Sequence, residues 1–71
     1  MMTDENINTL KKLNIAEYNI IDLENKIDNV KNGKKVDYNS GFYMGYIFAL
    51  YDTGLVDSVD LYLFASEIEE P

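Results

Sequence analysis

Carboxylates and tyrosines are the side chains with chemistry to offer in this sequence. Asp52, Asp57, Asp60, Glu67, Glu69 and Glu70 crowd its second half, with Tyr38, Tyr43, Tyr46, Tyr51 and Tyr62 interleaved among them. Asp57 and Asp60 stand one helical turn apart, a spacing at which two carboxylates could share acid and base roles. No partner accompanies them, because the 71 residues contain no Cys and no His. Thiolate and imidazole catalysis, disulfides and the usual zinc sites are thereby excluded. We expect no enzyme, no cofactor and no metal centre.

One segment invites a calcium test. Asp28 would stand first and Gly33 sixth in a twelve-residue loop running to Asn39. The frame fails on chemistry: Val30 replaces an oxygen ligand, Asn39 replaces the closing bidentate Glu, and Lys31, Lys34 and Lys35 would repel the cation.

Charge is segregated along the chain. From Met1 to Lys35 the acids Asp4, Glu5, Glu17, Asp22, Glu24 and Asp28 are balanced by Lys11, Lys12, Lys26, Lys31, Lys34 and Lys35. No base follows Lys35, so the formal net charge of −7 belongs wholly to the second half. All the aromatics except Tyr18 lie there too. Such an acidic chain repels nucleic acid and anionic lipid, and a field of one sign steers basic grooves toward it.

A chain this short makes a single domain, spanning residues 1–71. The first ten residues carry Asp4 and Glu5 where a secretory signal would be basic, and the longest uncharged run, Tyr38 to Tyr51, falls short of the roughly 20 apolar residues that span a bilayer. The expected location is cytoplasmic, in a bacterial cell.

The elements that must position these side chains read as helices, because Pro occurs only at residue 71 and Gly only at 33, 41, 45 and 54. Thr3 or Asp4 caps a short first helix, with Ile7 and Leu10 on one side. Asn14 and Glu17 form a capping box for a second, in which Ala16, Ile20, Leu23, Ile27 and Val30 make one apolar stripe and Asp22 precedes Lys26 by a turn. Asn32-Gly33 stops it. A β-hairpin at that dipeptide is the alternative, but its flanks do not alternate apolar with polar residues.

Asp37 or Ser40 caps a third helix whose body, Phe42 to Tyr51, is apolar on every face. Tyr46 is assigned to the core, while Tyr43 and Tyr51 are assigned to an interface on helical geometry. Gly41 and Gly45 have the spacing that lets two helix backbones approach, and we expect Gly45 to make room for a neighbour within the fold. Gly54 closes this helix. Asp57 or Ser58 caps the last one, which faces the core with Val59, Tyr62, Leu63 and Ile68, carries Phe64 on a flank and frays from Glu67 onward. The fold expected is all-α: a compact bundle of three main helices with a short N-terminal one.

A chain so short, acidic, Cys-free and rich in Asn, Ile, Lys and Tyr resembles accessory proteins encoded by phages and mobile elements of AT-rich bacteria. The stretch Gly45-Tyr46-Ile47-Phe48-Ala49-Leu50-Tyr51-Asp52-Thr53-Gly54-Leu55-Val56 looks like the helix, glycine stop and second helix at the ends of many of them. Anti-CRISPR proteins are similar in size and charge, and the resemblance implies inhibition of a nuclease by filling its basic nucleic-acid channel. Those inhibitors share no motif, so the resemblance assigns no residue. On charge and ring placement, the expected partner-binding set is Asp52, Asp57, Asp60 and Glu67 with Tyr43 and Tyr51 as anchors. The expected partner is a CRISPR-associated or other nucleic-acid-binding enzyme of the bacterium. The rival expectation is a regulatory or scaffold module that self-associates, as a homodimer or larger, through residues 42–51.

Overall fold

The computed structural model describes residues 1–69. Their order is α1 Asp4–Lys12, α2 Glu17–Lys31, α3 Val36–Asp52 and α4 Ser58–Ala65, with no strand among the described residues. The all-α bundle expected from the sequence is the architecture found. No helix among these residues is long and apolar enough to cross a membrane.

Thr3 caps α1, its hydroxyl oxygen accepting from the Asn6 backbone N–H at 3.3 Å, and Asp4 and Glu5 in the first turn with Lys11 and Lys12 in the last suit the helix dipole. Three helices then end on the same backbone device. At the end of α1 the N–H groups of Asn14 and Ile15 donate to Lys11 and Leu10; after α2 those of Gly33 and Lys34 donate to Val30 and Asn29; after α3 those of Gly54 and Leu55 donate to Tyr51 and Leu50. Each pair closes a Schellman motif around a residue with positive φ: Asn14 at 62°, Gly33 at 71° and Gly54 at 79°.

Asn14 therefore finishes α1 and does not cap α2, as its spacing from Glu17 suggests. Asn is both a preferred N-cap and, after Gly, the residue that best tolerates left-handed backbone. Here the second property decides its place. The N-cap of α2 is Ala16, whose side chain makes no capping bond.

The start of α3 also differs from expectation. Neither Asp37 nor Ser40 caps it; both lie inside a helix that begins at Val36, after Lys35 at φ 42°. The turn is held from within by Asn39, a buried side chain whose Nδ2 donates to the carbonyls of Lys34 and Lys35 at 2.8 and 3.0 Å and whose Oδ1 accepts from Asn29 at 3.4 Å. Satisfying two loop carbonyls at once offsets the strain of a non-Gly residue with positive φ. The result is a tight α2–α3 hairpin, in which the Lys26 ammonium lies 4.5 Å from the Phe42 ring centroid and pairs with Asp22 at 2.9 Å.

Ile20, Leu23 and Ile27 line the inner side of α2 as the stripe predicts, against Tyr43, Ile47 and Leu50 of α3. Leu10, Val56 and Phe64 close the core from α1 and the α4 side. Full burial of each large side chain is worth about 1.5–3 kcal/mol relative to exposure. Tyr46 is only partly buried against this core, while Tyr43 lies wholly within it.

Capping of α4 follows the sequence. Asp57 accepts from the Asp60 N–H at 2.9 Å and Asp60 accepts from the Asp57 N–H at 3.4 Å, a reciprocal capping box. Its phase does not. Phe64 is the buried residue of α4, and Val59 and Tyr62, expected in the core, point outward. In a helix of 8 residues with apolar side chains on every side, hydrophobicity cannot choose the inner face. Contact with Tyr43 chooses it: the Tyr43 hydroxyl donates to the Phe64 carbonyl at 2.8 Å.

Candidate functional site

The structure divides the six residues expected to bind a partner. Asp52 ends α3 and Asp57 caps α4, both exposed, with Asp60 half-buried one turn later. Tyr51, in the last turn of α3, is exposed as well. These four stay available at the corner between α3 and α4.

Tyr43 and Glu67 leave the set. The Tyr43 ring is 0% exposed, so it anchors the core and no partner. Burial first, and the nearby Glu67 charge second, push its hydroxyl well above the ordinary tyrosine range, which keeps it a neutral donor to Phe64. Glu67 is 8% exposed and does not fray: its Oε2 accepts from the Thr3 N–H at 2.8 Å and the Asn6 amide at 2.7 Å. A carboxylate so held adds nothing to a surface patch. Glu69 is exposed, and Glu70 and Pro71, expected to fray with it, lie outside the described residues.

Beside Glu67 is a cleft of about 170 Å³ lined by Thr3, Glu5, Asn6, Leu63, Ser66 and Glu67. Pockets for small organic ligands usually enclose about 300–1,000 Å³. Thr3, Asn6, Leu63 and Glu67 of its lining are hydrogen-bonded to one another, and the cleft marks the seam between α1 and α4.

Helix α4 thus has its polarity inverted. Asp60 and Glu67 lie toward the side of Phe64, half-buried and buried, whereas Val59 is 64% and Tyr62 68% exposed. Val59 and Tyr62 are one turn apart and so share a face. Leu55, in the turn before α4, is 53% exposed. Leu55, Val59 and Tyr62 are the surface residues that sequence reasoning missed. Periodicity within α4 offered no signal for them, and Leu55 resembled the hydrophobic partner usual after a glycine stop.

Two of the six lysines lie at the opposite end of α3. Lys34 and Lys35 sit just before its first turn and Asp52 closes its last, so the 17 residues between turns separate them by about 25 Å. Among the described residues the ion pairs are Lys26 with Asp22 and the Met1 amino group with Asp28, both within the first half of the chain. None of the acids of the corner makes an ion pair among the described residues. No group of three or more His, Cys, Asp or Glu among the described residues could hold a metal ion. Asp57 and Asp60 are engaged with each other's backbone N–H groups, an arrangement that starts a helix rather than one poised for proton transfer.

The outer side of α3 overturns a further expectation. A Cβ placed on Gly41 or Gly45 would meet nothing within 4 Å, so neither glycine makes room for a neighbour within the fold.

No protein-family model matches the sequence, and comparison with curated proteins and with solved structures finds no match.

Proposed function

We propose that this chain is a non-catalytic binding protein that fills a basic, nucleic-acid-binding surface of a bacterial enzyme and inhibits it stoichiometrically, in the manner of phage or mobile-element inhibitors of the anti-CRISPR type. The observation that carries this reading is the outward face of α4 and the corner before it, where the exposed Leu55, Val59 and Tyr62 follow closely on the exposed Asp52 and Asp57, and where no acid makes an ion pair among the described residues. Carboxylates take the place of phosphates in such a groove, and the rings of Tyr62 and Tyr51 take the place of stacked bases. A solubilising surface would need the acids alone. Exposed apolar side chains set among them are the composition of an interface.

The test is capture of nucleic-acid-guided nucleases from bacterial lysates, followed by competition with their guide or target nucleic acid. Changing Asp52, Asp57 and Asp60 together to asparagine removes the charge, while the amide oxygen that replaces the Asp57 carboxylate still caps α4. Capture by the parent, lost in this variant and displaced by nucleic acid, is the outcome expected. Equal capture by both proteins would refute phosphate mimicry through this corner.

A further inference from the structure

We propose that the outer face of α3 is a self-association surface on which a second copy of this chain lays its own α3 antiparallel, the two helices crossing at Gly45. The inference is independent of the reading of α4, with which it shares only Asp52.

Two glycines inside a helix lower its stability and ask for a reason. Gly33 and Gly54 have one, in the positive φ of their turns; Gly41 and Gly45 have helical backbone. Both are exposed, with open space where a side chain would project. Four residues apart, they leave a bare strip of backbone on the side of α3 away from the core. Exposed rings flank it, Tyr38 and Phe42 on one side and Phe48 on the other. A bare strip between rings is a groove that admits another helix at close range.

Charge decides which helix and in which direction. Lys34 and Lys35 precede the strip, with the exposed Asp37 of the first turn leaving that end one net positive charge, and Asp52 ends it; neither lysine nor Asp52 has an ion-pair partner among the described residues. A parallel pair would set Lys against Lys and Asp against Asp. An antiparallel pair brings the basic end of each copy to the acidic end of the other and opposes the helix dipoles favourably.

The side chains agree with that direction. With Gly45 opposite Gly45, Gly41 falls opposite Ala49, Phe42 opposite Phe48 and Tyr38 opposite Asp52. Small residues share one level and rings another, with Phe42 of one copy on one flank of the seam and Phe48 of the second copy on the other flank. Such self-complementarity is what a two-fold interface requires. One pair of 17-residue helices is a small contact, at the low end of specific interfaces, so the dimer dissociates on dilution.

Sedimentation of the full chain, from about 10 µM to 1 mM, reads this directly, because a small interface corresponds to dissociation constants of that order. The expected result is a mass that doubles across the range. Gly45→Leu should weaken association at least tenfold while leaving the helical circular dichroism unchanged, since the added side chain enters open space. Asp52→Lys should weaken it too, and Asp52→Lys combined with Lys34→Glu and Lys35→Glu should restore it, a rescue that a misfolded variant could not give. A monomer throughout the range would overturn the proposal. So would a dimer indifferent to Gly45→Leu, or a charge swap without rescue, which would place the contact elsewhere or in another orientation.

Discussion

Asn6 in α1 and Glu67, just past α4, share a buried hydrogen bond of 2.7 Å across 61 positions of sequence. The same Glu67 oxygen accepts from the Thr3 N–H, and the Asn6 amide also donates to the Leu63 carbonyl at 3.1 Å. One carboxylate therefore ties the start of the first helix to the end of the last. Removing it strands the donors in a half-closed seam, where an unmet bond to a charged group costs about 1.5–3 kcal/mol.

Glu67→Ala should accordingly lower stability by about 2 kcal/mol, equivalent to a fall in Tm of roughly 10 °C for a domain of this size. Glu67→Gln, whose carbonyl can still accept both bonds, should lose less than half of that. Urea titration followed by circular dichroism measures both. Equal losses would mean that the charge, and not the pair of bonds, holds the seam.

Tyr43 makes stability depend on alkaline pH. In the unfolded chain its hydroxyl titrates near 10. In the folded protein burial, aided by the charge of Glu67, raises that value. Below about pH 10 both states hold the proton and the Tyr43 contribution is complete. Above it the unfolded state loses its proton first, so stability falls by up to about 1.4 kcal/mol per pH unit until the folded pKa is reached. Tyr43→Phe should cost about 0.5–1.5 kcal/mol at neutral pH, by removing one of the bonds to the Phe64 carbonyl, which keeps that from the Glu67 N–H, and should flatten the decline between about pH 10 and 11.5. Chemical denaturation of parent and variant across that range is the check; an unchanged slope would show that other groups control it.

Much of the fold was legible in the sequence because several signals agreed on it. The stripe through Ile20, Leu23 and Ile27, the stops at Gly33 and Gly54, and the caps at Thr3 and Asp57 were each readable from local rules. What failed was the direction in which short or uniformly apolar helices face. Tyr43 and Tyr46 are three residues apart on one helix, and it is Tyr43 that falls in line with the buried Asn39, Ile47 and Leu50, while Tyr46 lies at the edge of that stripe. Of the candidate site, Asp52, Asp57, Asp60 and Tyr51 were within reach of charge and composition. Glu67 was not, since nothing local announces a partner at Asn6.

The turn at Asn14 offers a test of motif assignment. An N-cap position accepts Ser as readily as Asn, whereas a left-handed position strongly prefers Gly, then Asn. With φ at 62°, Asn14→Gly should leave stability unchanged or raise it by a few tenths of a kcal/mol, and Asn14→Ser should lower it by about 0.5–1 kcal/mol. Thermal melts of the two variants decide the matter. Ser as good as Gly would return Asn14 to the role of capping α2.

One substitution type should have opposite signs at two glycines of the same region. Gly54 has φ 79°, where a Cβ is strained whatever the space around it, so Gly54→Ala should destabilise by about 1 kcal/mol or more. Gly41 has helical backbone and open space, so Gly41→Ala should stabilise by about 0.5–1 kcal/mol through the smaller entropy of the unfolded chain. The measurement belongs at low micromolar concentration, where α3 of one copy is not covered by another. At higher concentration the gain should shrink, because a methyl group at Gly41 would hold the second helix off. A Gly41→Ala gain that stayed the same at every concentration would show that nothing approaches this strip of backbone.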